Sequence, residues 1–533
     1  LRSPFVHPNL AKAIVQLTVH NIRTQVHNPS GRESRFLREY LSIPDERAKF
    51  ATGNFGTKQR IHLYDSLNDL FPAGFTRRVM KAAKAEGISV QISDARTPPC
   101  SPDPDIALDW LRDYQLEAID AVVKRTRGLL KLPTGAGKTE IAIGLALKIP
   151  TKWLFLVHKK DLLHQTVERY VKRVSGMTDL DPEELDSARR LTKHGDAEML
   201  GVGRIGDGEW FEGERFTVAT FQTLARALKN KQSRNHQAAL NLLASVGGVM
   251  VDEAHTLPAD SFMSVAMATR NAYYRVGLSG TPLARTDKRS FVTVGVLGDI
   301  IYELKAVDLI ERGLLAKPII RMEPVHHIGL NNIGQIPATF QGVYGKFIVR
   351  SATRNRAVVE ACKLAKKPAL VFVKEIKHGK ILEERMRKAG IPVEFVFGNT
   401  DTPRRKSAIE RLVRGEIEVL ICSVIFQEGT DIPELESVVI ASGGKSVIAT
   451  LQRIGRGMRK AEGKGDTFEV WDFEDIGVRM LENHSKQRRR AYEKEGYRIG
   501  APDVDLLSTL QKAAPAVGIA LLIGSFLAQW LGG

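Results

Sequence analysis

Leu132-Pro-Thr-Gly-Ala-Gly-Lys-Thr139 is flanked by two patterns that fix its meaning. The apolar run Gly128–Leu132 precedes it, and Ile141, Ala142, Leu145, Ala146 and Ile149 follow on one helical face. The order predicts a strand, a tight loop and a helix. Gly135 and Gly137 allow backbone N–H groups to approach phosphate oxygens, because no Cβ stands in the way. The helix that starts at the loop adds the positive end of its dipole. In a loop of this kind Pro133, Thr134, Gly135, Ala136 and Gly137 form the cradle. Lys138 reaches the β- and γ-phosphates, and the Thr139 hydroxyl ligates Mg²⁺. The position where the phosphate-loop pattern begins with glycine is here Leu132.

A chain of 533 residues is too long for one core, so three or four domains are expected. Its 43% hydrophobic and 26% charged residues are the composition of an ordinary soluble globular protein. The net charge of +17 favours a polyanionic partner, because Lys and Arg that face phosphates release counterions on binding. A basic solvated surface gives the same number, so charge alone does not decide. Cys100, Cys362 and Cys422 are far apart and odd in number, which fits neither zinc spacing nor a disulfide framework. Reduced thiols in a cytoplasmic protein are the expectation. Leu1–Leu10 lacks the charged-then-apolar order of a signal peptide, and the sequence opens without Met.

In chain order, residues 1–105 are expected to form a small α+β domain. Its strands are Ile14–His20, Ile22–Val26, Arg60–Leu63 and Ser89–Ser93, and its helices Glu33–Leu41 and the basic Phe75–Glu86. The prolines of residues 97–104 mark a linker. Residues 106–322 alternate strands and helices as a parallel α/β domain does, with strands at Trp153–Val157, Phe216–Ala219, Val246–Val251 and Arg275–Leu278 and a polar surface helix at Asp179–Lys193. Residues 323–350 read as a connection of weak periodicity. Residues 351–476 form a second α/β unit with strands Ala369–Val373, Val393–Phe397, Glu418–Cys422 and Val438–Ile440. Residues 477–533 supply a basic helix with Lys486, Arg488, Arg489, Arg490 and Lys494, then an apolar tail.

Two further constellations turn the loop into a chemical site. Asp252-Glu-Ala-His255 follows an apolar strand. A carboxylate at a strand end, here Asp252, suits Mg²⁺, which prefers hard oxygen ligands and keeps several waters. Glu253 beside it can orient and deprotonate an attacking water. Gln452-Arg-Ile-Gly-Arg-Gly-Met-Arg459 places Gln452, Arg456 and Arg459 on one face if the segment is helical. The planar guanidinium forks suit a γ-phosphate. An arginine-rich helix that only binds nucleic acid has the same pattern.

Taken together, the motifs over residues 106–475 resemble those of the superfamily 2 helicases and fall in that family's order. Arg112-Asp-Tyr-Gln115 resembles the adenine-reading glutamine motif, Leu132–Thr139 motif I, and Val157–Gln165 motif Ia. Thr220–Leu224 resembles the next strand-binding motif, Asp252–His255 a DEAH form of motif II, and Ser279-Gly-Thr281 motif III. Leu370–Val373 resembles motif IV, Gln427–Pro433 motif V and Gln452–Arg459 motif VI. Gly53–Gly56 with Arg60–Asp65, Lys377–Lys380 and Gly444–Gln452 resemble the phage recombination helicases of the UvsW type, near the XPB-like group.

The resemblance implies two tandem RecA-like parallel-sheet domains with ATP at their interface and 3′→5′ movement on DNA. The UvsW type implies branched substrates: fork regression, branch migration, and unwinding of D-loops or R-loops. It implies that Arg112 and Gln115 read the adenine, that Lys138, Thr139 and Asp252 hold phosphates and Mg²⁺, and that Glu253 is the base. It implies contacts of Gly429, Asp431 and Gln452 with the nucleotide, and arginine fingers at Arg456 and Arg459. It implies coupling through His255, Ser279 and Thr281, and nucleic-acid contacts at His158, Lys159, Gln165, Thr220, Thr223, Lys374 and Ser423. ATP and Mg²⁺ are thus the expected cofactors and forked, branched or single-stranded DNA the expected partner, with the chain a monomer.

An RNA helicase carries the same core motifs. The translocating part of a restriction complex is a further alternative, although no added nuclease motif is visible. A nucleotide-gated clamp would not need the acids and fingers present here. Ala513–Gly533 is uncharged and of bilayer-spanning length, but Pro515, Gln529 and several glycines favour a docked C-terminal helix, and no stable membrane partner is expected.

Overall fold

The computed structural model describes residues 14–44, 60–176, 200–256, 260–283, 290–327, 336–337, 339–398, 400, 402–423, 432, 434–444, 454–455, 457–460 and 464–500. The Asp179–Lys193 helix and the apolar tail lie outside them. The chain divides into two compact units, Leu1–Leu304 and Lys305–Gly533.

The first unit opens with β1 (Ile14–Val19), β2 (Arg23–His27), α1 (Gly31–Tyr40), β3 (Ser42–Pro44), β4 (Arg60–His62), β5 (Leu70–Pro72), α2 (Thr76–Ala85) and β6 (Ser89–Asp94). The strands order as β5-β2-β1-β6, with β3 and β4 paired separately. Ser30 caps α1 by accepting the Glu33 N–H while the Glu33 carboxylate takes the Ser30 N–H, a capping box that explains where the helix starts.

There follow α3 (Asp113–Arg125), β7 (Arg127–Lys131), α4 (Lys138–Lys148), β8 (Trp153–Val157), α5 (Lys160–Ser175), β9 (Val202–Gly206), β10 (Glu209–Phe211) and β11 (Phe216–Thr220). The unit continues with α6 (Phe221–Lys229), α7 (His236–Ser245), β12 (Gly248–Asp252), α8 (Asp260–Ala268), β13 (Tyr274–Ser279), α9 (Ser290–Leu297) and β14 (Ile300–Glu303). Their sheet runs β10-β9-β11-β8-β12-β13-β7-β14, parallel except for the β9–β10 hairpin.

The N-terminal layer does not keep a core of its own. Leu17, Phe71, Phe75 and Val79 share one cluster with Val294, and the Phe75 and Phe291 rings lie 4.4 Å apart. A Cβ on Gly74 would stand 2.0 Å from the Val294 carbonyl, so only glycine permits this approach. The α4 helix departs from the expected one-sided pattern, because Ile143, Gly144 and Leu147 are buried along with Ile141, Ala142, Leu145 and Ala146. It is enclosed on nearly every side. Each large side chain there contributes about 1.5–3 kcal/mol by burial, so the loop it carries has a rigid base.

The second unit comprises α10 (Ala306–Glu311), β15 (Lys317–His326), α11 (Phe340–Tyr344), α12 (Ala352–Leu364), β16 (Ala369–Phe372), α13 (Ile376–Lys388), β17 (Val393–Val396) and α14 (Thr402–Val413). It ends with β18 (Val419–Cys422), β19 (Ser437–Val439), β20 (Thr467–Ile476), α15 (Arg479–Lys494) and β21 (Arg498–Gly500). Its sheet is β17-β18-β16-β19-β20-β15-β21, and every neighbouring pair is parallel.

Two expected boundaries lie elsewhere in the structure. The division falls after Leu304 and not after residue 322, because β15 pairs with β20 along its whole length. Residues 323–350 are no loose connection: they hold the end of β15, α11 and a π-helical turn at Gly345–Val349. The basic helix expected after residue 477 is present as α15 and is docked on β20. Arg488 is buried, donating to Asp472 through Nε (2.8 Å) and Nη2 (2.9 Å) and to the Gly444 carbonyl through Nη1 (2.7 Å). The Tyr492 hydroxyl donates to the same carboxylate at 2.6 Å. A second buried cation, Arg354, donates to Asp475 at 2.8 Å.

Asp472→Asn leaves the Arg488 guanidinium enclosed without its anion, a loss on the order of 3–5 kcal/mol. A lower urea midpoint is expected, with faster amide exchange in β20 and α15. A shift under about 1 kcal/mol would contradict this role for the pair.

Candidate functional site

The parallel register of the first sheet decides which side chains meet. β12, β13 and β7 are consecutive neighbours, with Asp252 opposite Leu278 and Ser279 opposite Lys131. Their carboxyl ends therefore deliver Asp252–His255, Ser279–Thr281 and Leu132–Thr139 to one edge, the place where open α/β sheets bind ligands. Gly135 (φ 89°) and Gly137 (φ 77°) take the left-handed backbone the loop needs. Leu132, at the position where the motif has glycine, is fully buried, and its N–H donates to the Ser279 carbonyl at 3.0 Å. That departure extends the sheet ladder into the loop.

Lys138 Nζ donates to Glu253 Oε1 at 2.9 Å. Both side chains are largely enclosed, at 17% and 14% exposure. His255 Nδ1 lies 3.2 Å from Glu253 Oε2 and 3.2 Å from Ser279 Oγ. Ser279 Oγ donates to Glu253 Oε2 at 3.4 Å and accepts the Thr281 N–H at 3.2 Å. Glu253 has φ 47°, a left-handed conformation that costs about 1–3 kcal/mol outside glycine and recurs where function demands a fixed side-chain direction.

The two acids differ. Burial, reinforced by the charge of Glu253, pushes the Asp252 carboxyl up to about 6. Burial also works against ionisation of Glu253, but Lys138 and the His255 contact outweigh it and hold that carboxyl well below its usual range. Asp252 Oδ1 is enclosed with no hydrogen-bond donor. An orphaned carboxylate oxygen at a strand end is what a hard divalent cation would satisfy. Mg²⁺ takes one or two protein oxygens and fills its shell with water and phosphate. Asp252 and the half-buried Thr139 therefore fit the ion.

Gln115 reaches the phosphate loop. Its Nε2 donates to the Ala136 carbonyl of the loop at 3.0 Å, and its Oε1 accepts the Arg112 N–H at 3.0 Å. The side chain thus braces the loop, and each end of the carboxamide keeps one further hydrogen-bonding position. Tyr114, which sequence inspection passed over, donates to the same carbonyl at 3.3 Å and accepts from the exposed Arg112 Nη1 at 3.2 Å. Its only signal was its place inside Arg112–Gln115.

The candidate nucleic-acid residues of this unit gather on the neighbouring strand ends. Thr220 stands opposite Val157 where β11 and β8 finish together. Gln222 Nε2 donates to the His158 carbonyl at 2.9 Å, which ties the two loops. Thr220 and Thr223 join hydroxyls at 2.8 Å, Lys159 precedes α5 as its cap, and Gln165 is exposed on that helix.

In the second unit, the exposed Lys374 places its ammonium 5.1 Å from the Phe340 and Tyr344 ring centres, and the buried Ser423 follows β18. The backbone of Arg459 is bridged to Leu315, just after the turn at Met458. Arg456, Gln452, Gly429 and Asp431 lie outside the described residues. The three cysteines are free, with Cys362 and Cys422 buried.

The family described as the res subunit of type III restriction enzymes matches residues 109–284, and the helicase conserved C-terminal domain matches residues 353–461. The chain is 29% identical to helicase 22 of Sulfolobus islandicus filamentous virus, covering 66% of this chain and 62% of that one. It is 27% identical to the ATP-dependent DNA helicase uvsW of Enterobacteria phage T4, covering 70% of each. It is 26% identical to the DNA 3'-5' translocase XPB2 of Sulfurisphaera tokodaii, covering 68% and 81%.

If Gln115 braces the loop, Gln115→Ala weakens ATP and GTP binding alike. The expected loss is about tenfold for each, the worth of one hydrogen bond to a buried carbonyl. Fluorescent-nucleotide titrations check this. A loss confined to ATP would support the adenine-reading role.

Proposed function

We propose that this chain, which belongs to the superfamily 2 helicases, is an ATP-dependent DNA helicase or translocase that moves 3′→5′ and remodels branched or forked DNA. The observation that carries the reading is the meeting of Lys138, Glu253, His255 and Ser279 on one sheet edge within 3.4 Å contacts. DNA as substrate and the 3′→5′ direction are taken from the uvsW and XPB2 relatives.

Each residue then has a task. The backbone of Pro133–Gly137 cradles phosphates and Lys138 neutralises them. Thr139 and Asp252 would hold Mg²⁺, which when bound supplies charge neutralisation between the phosphate oxygens. Glu253 accepts the proton of the water that attacks the γ-phosphorus in line, and its lowered pKa keeps it ionised to do so. Since Lys138 already holds Glu253, an arriving γ-phosphate competes for the lysine and releases the carboxylate toward that water. His255 and Ser279 register the exchange, because both touch Glu253. Arg456 and Arg459 are proposed to sense the terminal phosphate, as cations suited to it. The loops at His158–Lys159 and Thr220–Thr223 are proposed to grip phosphates without reading bases.

A second reading, the translocating subunit of a restriction-type complex, is favoured by the family match over residues 109–284. Activity of the isolated chain on forks separates the two.

Lys138→Ala and Glu253→Gln are each expected to lower DNA-stimulated ATP hydrolysis by about 10²–10⁴-fold while DNA binding stays within about twofold. EDTA should abolish turnover of the wild type. Comparing ATPase stimulation by single-stranded, duplex, forked and Holliday-junction DNA and by RNA at fixed salt tests the substrate. Stimulation by RNA alone would overturn the DNA assignment, and wild-type turnover in Lys138→Ala would overturn the mechanism.

A further inference from the structure

Lys374 follows β16 at its carboxyl end, where the Val373 N–H still donates to the Cys422 carbonyl at 3.0 Å. The side chain is exposed, yet its ammonium stands over two aromatic rings. It lies 5.1 Å from the centre of Phe340 and 5.1 Å from the centre of Tyr344. Both rings come from α11, where a spacing of four residues puts them on one face. Their centres are 5.7 Å apart and their planes are inclined by 49°, so they form a cradle with one cation in it.

The cradle is fixed from behind. Thr339 caps α11 by accepting the Gly342 N–H at 3.2 Å, and a π-helical turn at Gly345–Val349 follows directly. Tyr344 is buried in a cluster with Val343, Phe347 and Leu481, and Phe340 packs against that cluster. The His484 ring of α15 meets Phe340 edge-on, with centres 5.4 Å apart. A ring could swing aside only by opening this packing.

What the lysine lacks is an anion. The arginines that bind this sheet together are committed to carboxylates: Arg354 to Asp475, Arg488 to Asp472 and Arg489 to Glu474. Lys374 has no carboxylate partner among the described residues. Ring faces carry the negative part of the aromatic quadrupole, which attracts an ammonium without neutralising it. A lysine is otherwise a mobile point charge that gives up rotamer freedom when it binds. Here that ordering precedes any ligand, and the whole positive charge is kept. Such a cation, at the edge where parallel sheets bind ligands, suits a phosphate oxygen.

We propose that Phe340 and Tyr344 are positioning residues that hold the Lys374 ammonium ready for a backbone phosphate of a nucleic-acid strand at the carboxyl edge of the second sheet. The proposal rests on the nucleic-acid motor reading above. What it adds to the contact expected at Lys374 is the pair of rings that supports it. A lysine held in this way takes phosphate and reads no base, so the contact is independent of sequence.

The test measures binding of the full chain to a fluorescently labelled fork from low to moderate salt. In Lys374→Ala the slope of log affinity against log salt should become shallower by about 0.9, or by about 0.7 if the contact is to a single strand. Phe340→Leu keeps an apolar side chain against the cluster but removes the ring face, and should lower affinity about threefold. The same change made in Lys374→Ala should lower it no further, because both substitutions then remove one contact. Phe340→Tyr keeps the ring face and should bind as the wild type does. An equal loss from Phe340→Leu in both backgrounds would show packing alone and overturns the proposal, as does wild-type affinity in Phe340→Leu. So does a Lys374→Ala variant that loses pyrophosphate binding, followed by calorimetry, while keeping its slope on DNA: the lysine would then hold a free anion. If the wild type hydrolyses no ATP with any nucleic acid, the motor reading fails, but the cycle on fork binding still decides whether the rings hold Lys374 for a strand.

Discussion

One backbone hydrogen bond sets the geometry on which the site depends. The Leu132 N–H donates to the Ser279 carbonyl and so carries the β13–β7 ladder one residue past the strand, into the phosphate loop. Buried beneath it, Leu132 takes the place where this type of loop has glycine, which costs the motif nothing because that residue points into the core and not toward phosphate. The loop is held on the other side by Gln115 and Tyr114, both donating to the Ala136 carbonyl. A loop fixed at both flanks presents its N–H groups without having to order them first, and preorganised donors are worth more than mobile ones.

The Lys138–Glu253 pair follows from that fixation. The lysine opens α4, the glutamate leaves β12 in a left-handed conformation, and the β13 strand between β12 and β7 supplies Ser279 to the same carboxylate. The neighbouring acids are therefore unequal. Glu253 is paired on both oxygens and ionised, whereas Asp252 has an enclosed oxygen without a donor and is pushed toward protonation by burial. Two adjacent carboxylates with opposite shifts divide into one that handles a proton and one that wants a cation, and environment alone makes the division.

The sequence displayed what repeats locally. Apolar runs ending in Asp252, Ser279 and Thr220 announced strands, and Gly135 and Gly137 announced the loop between β7 and α4. It concealed what depends on partners far away in the chain. β20 is absent from the expected strands because Glu469, Asp472 and Asp475 interrupt its apolar run, yet Asp472 and Asp475 are buried against Arg488 and Arg354. The same pairing fixes α15, legible in the sequence only as a basic helix, against the sheet. Gln115 was legible as a functional residue but not as a brace, since a carboxamide suits a base or a carbonyl equally and only coordinates choose. Arg459 was legible by the spacing of its motif, but its bridge to Leu315 depends on a residue far away in the chain.

The halves of the first sheet's carboxyl edge carry different residues, and the division has a consequence for coupling. β11 and β8 bear the loops joined by the Gln222–His158 hydrogen bond, while β12, β13 and β7 bear the phosphate loop and the acids. β8 and β12 are direct neighbours, with Val251 opposite Leu156. A change at Glu253 therefore lies beside the strand that leads into His158, inside a sheet whose core residues are close-packed and do not deform gradually. On the proposed mechanism His255 is the side chain placed to pass on an exchange at Glu253, because it touches both Glu253 and Ser279. Coupling would then need no long relay, since a change in the pairing of Glu253 reaches the strands on either side directly.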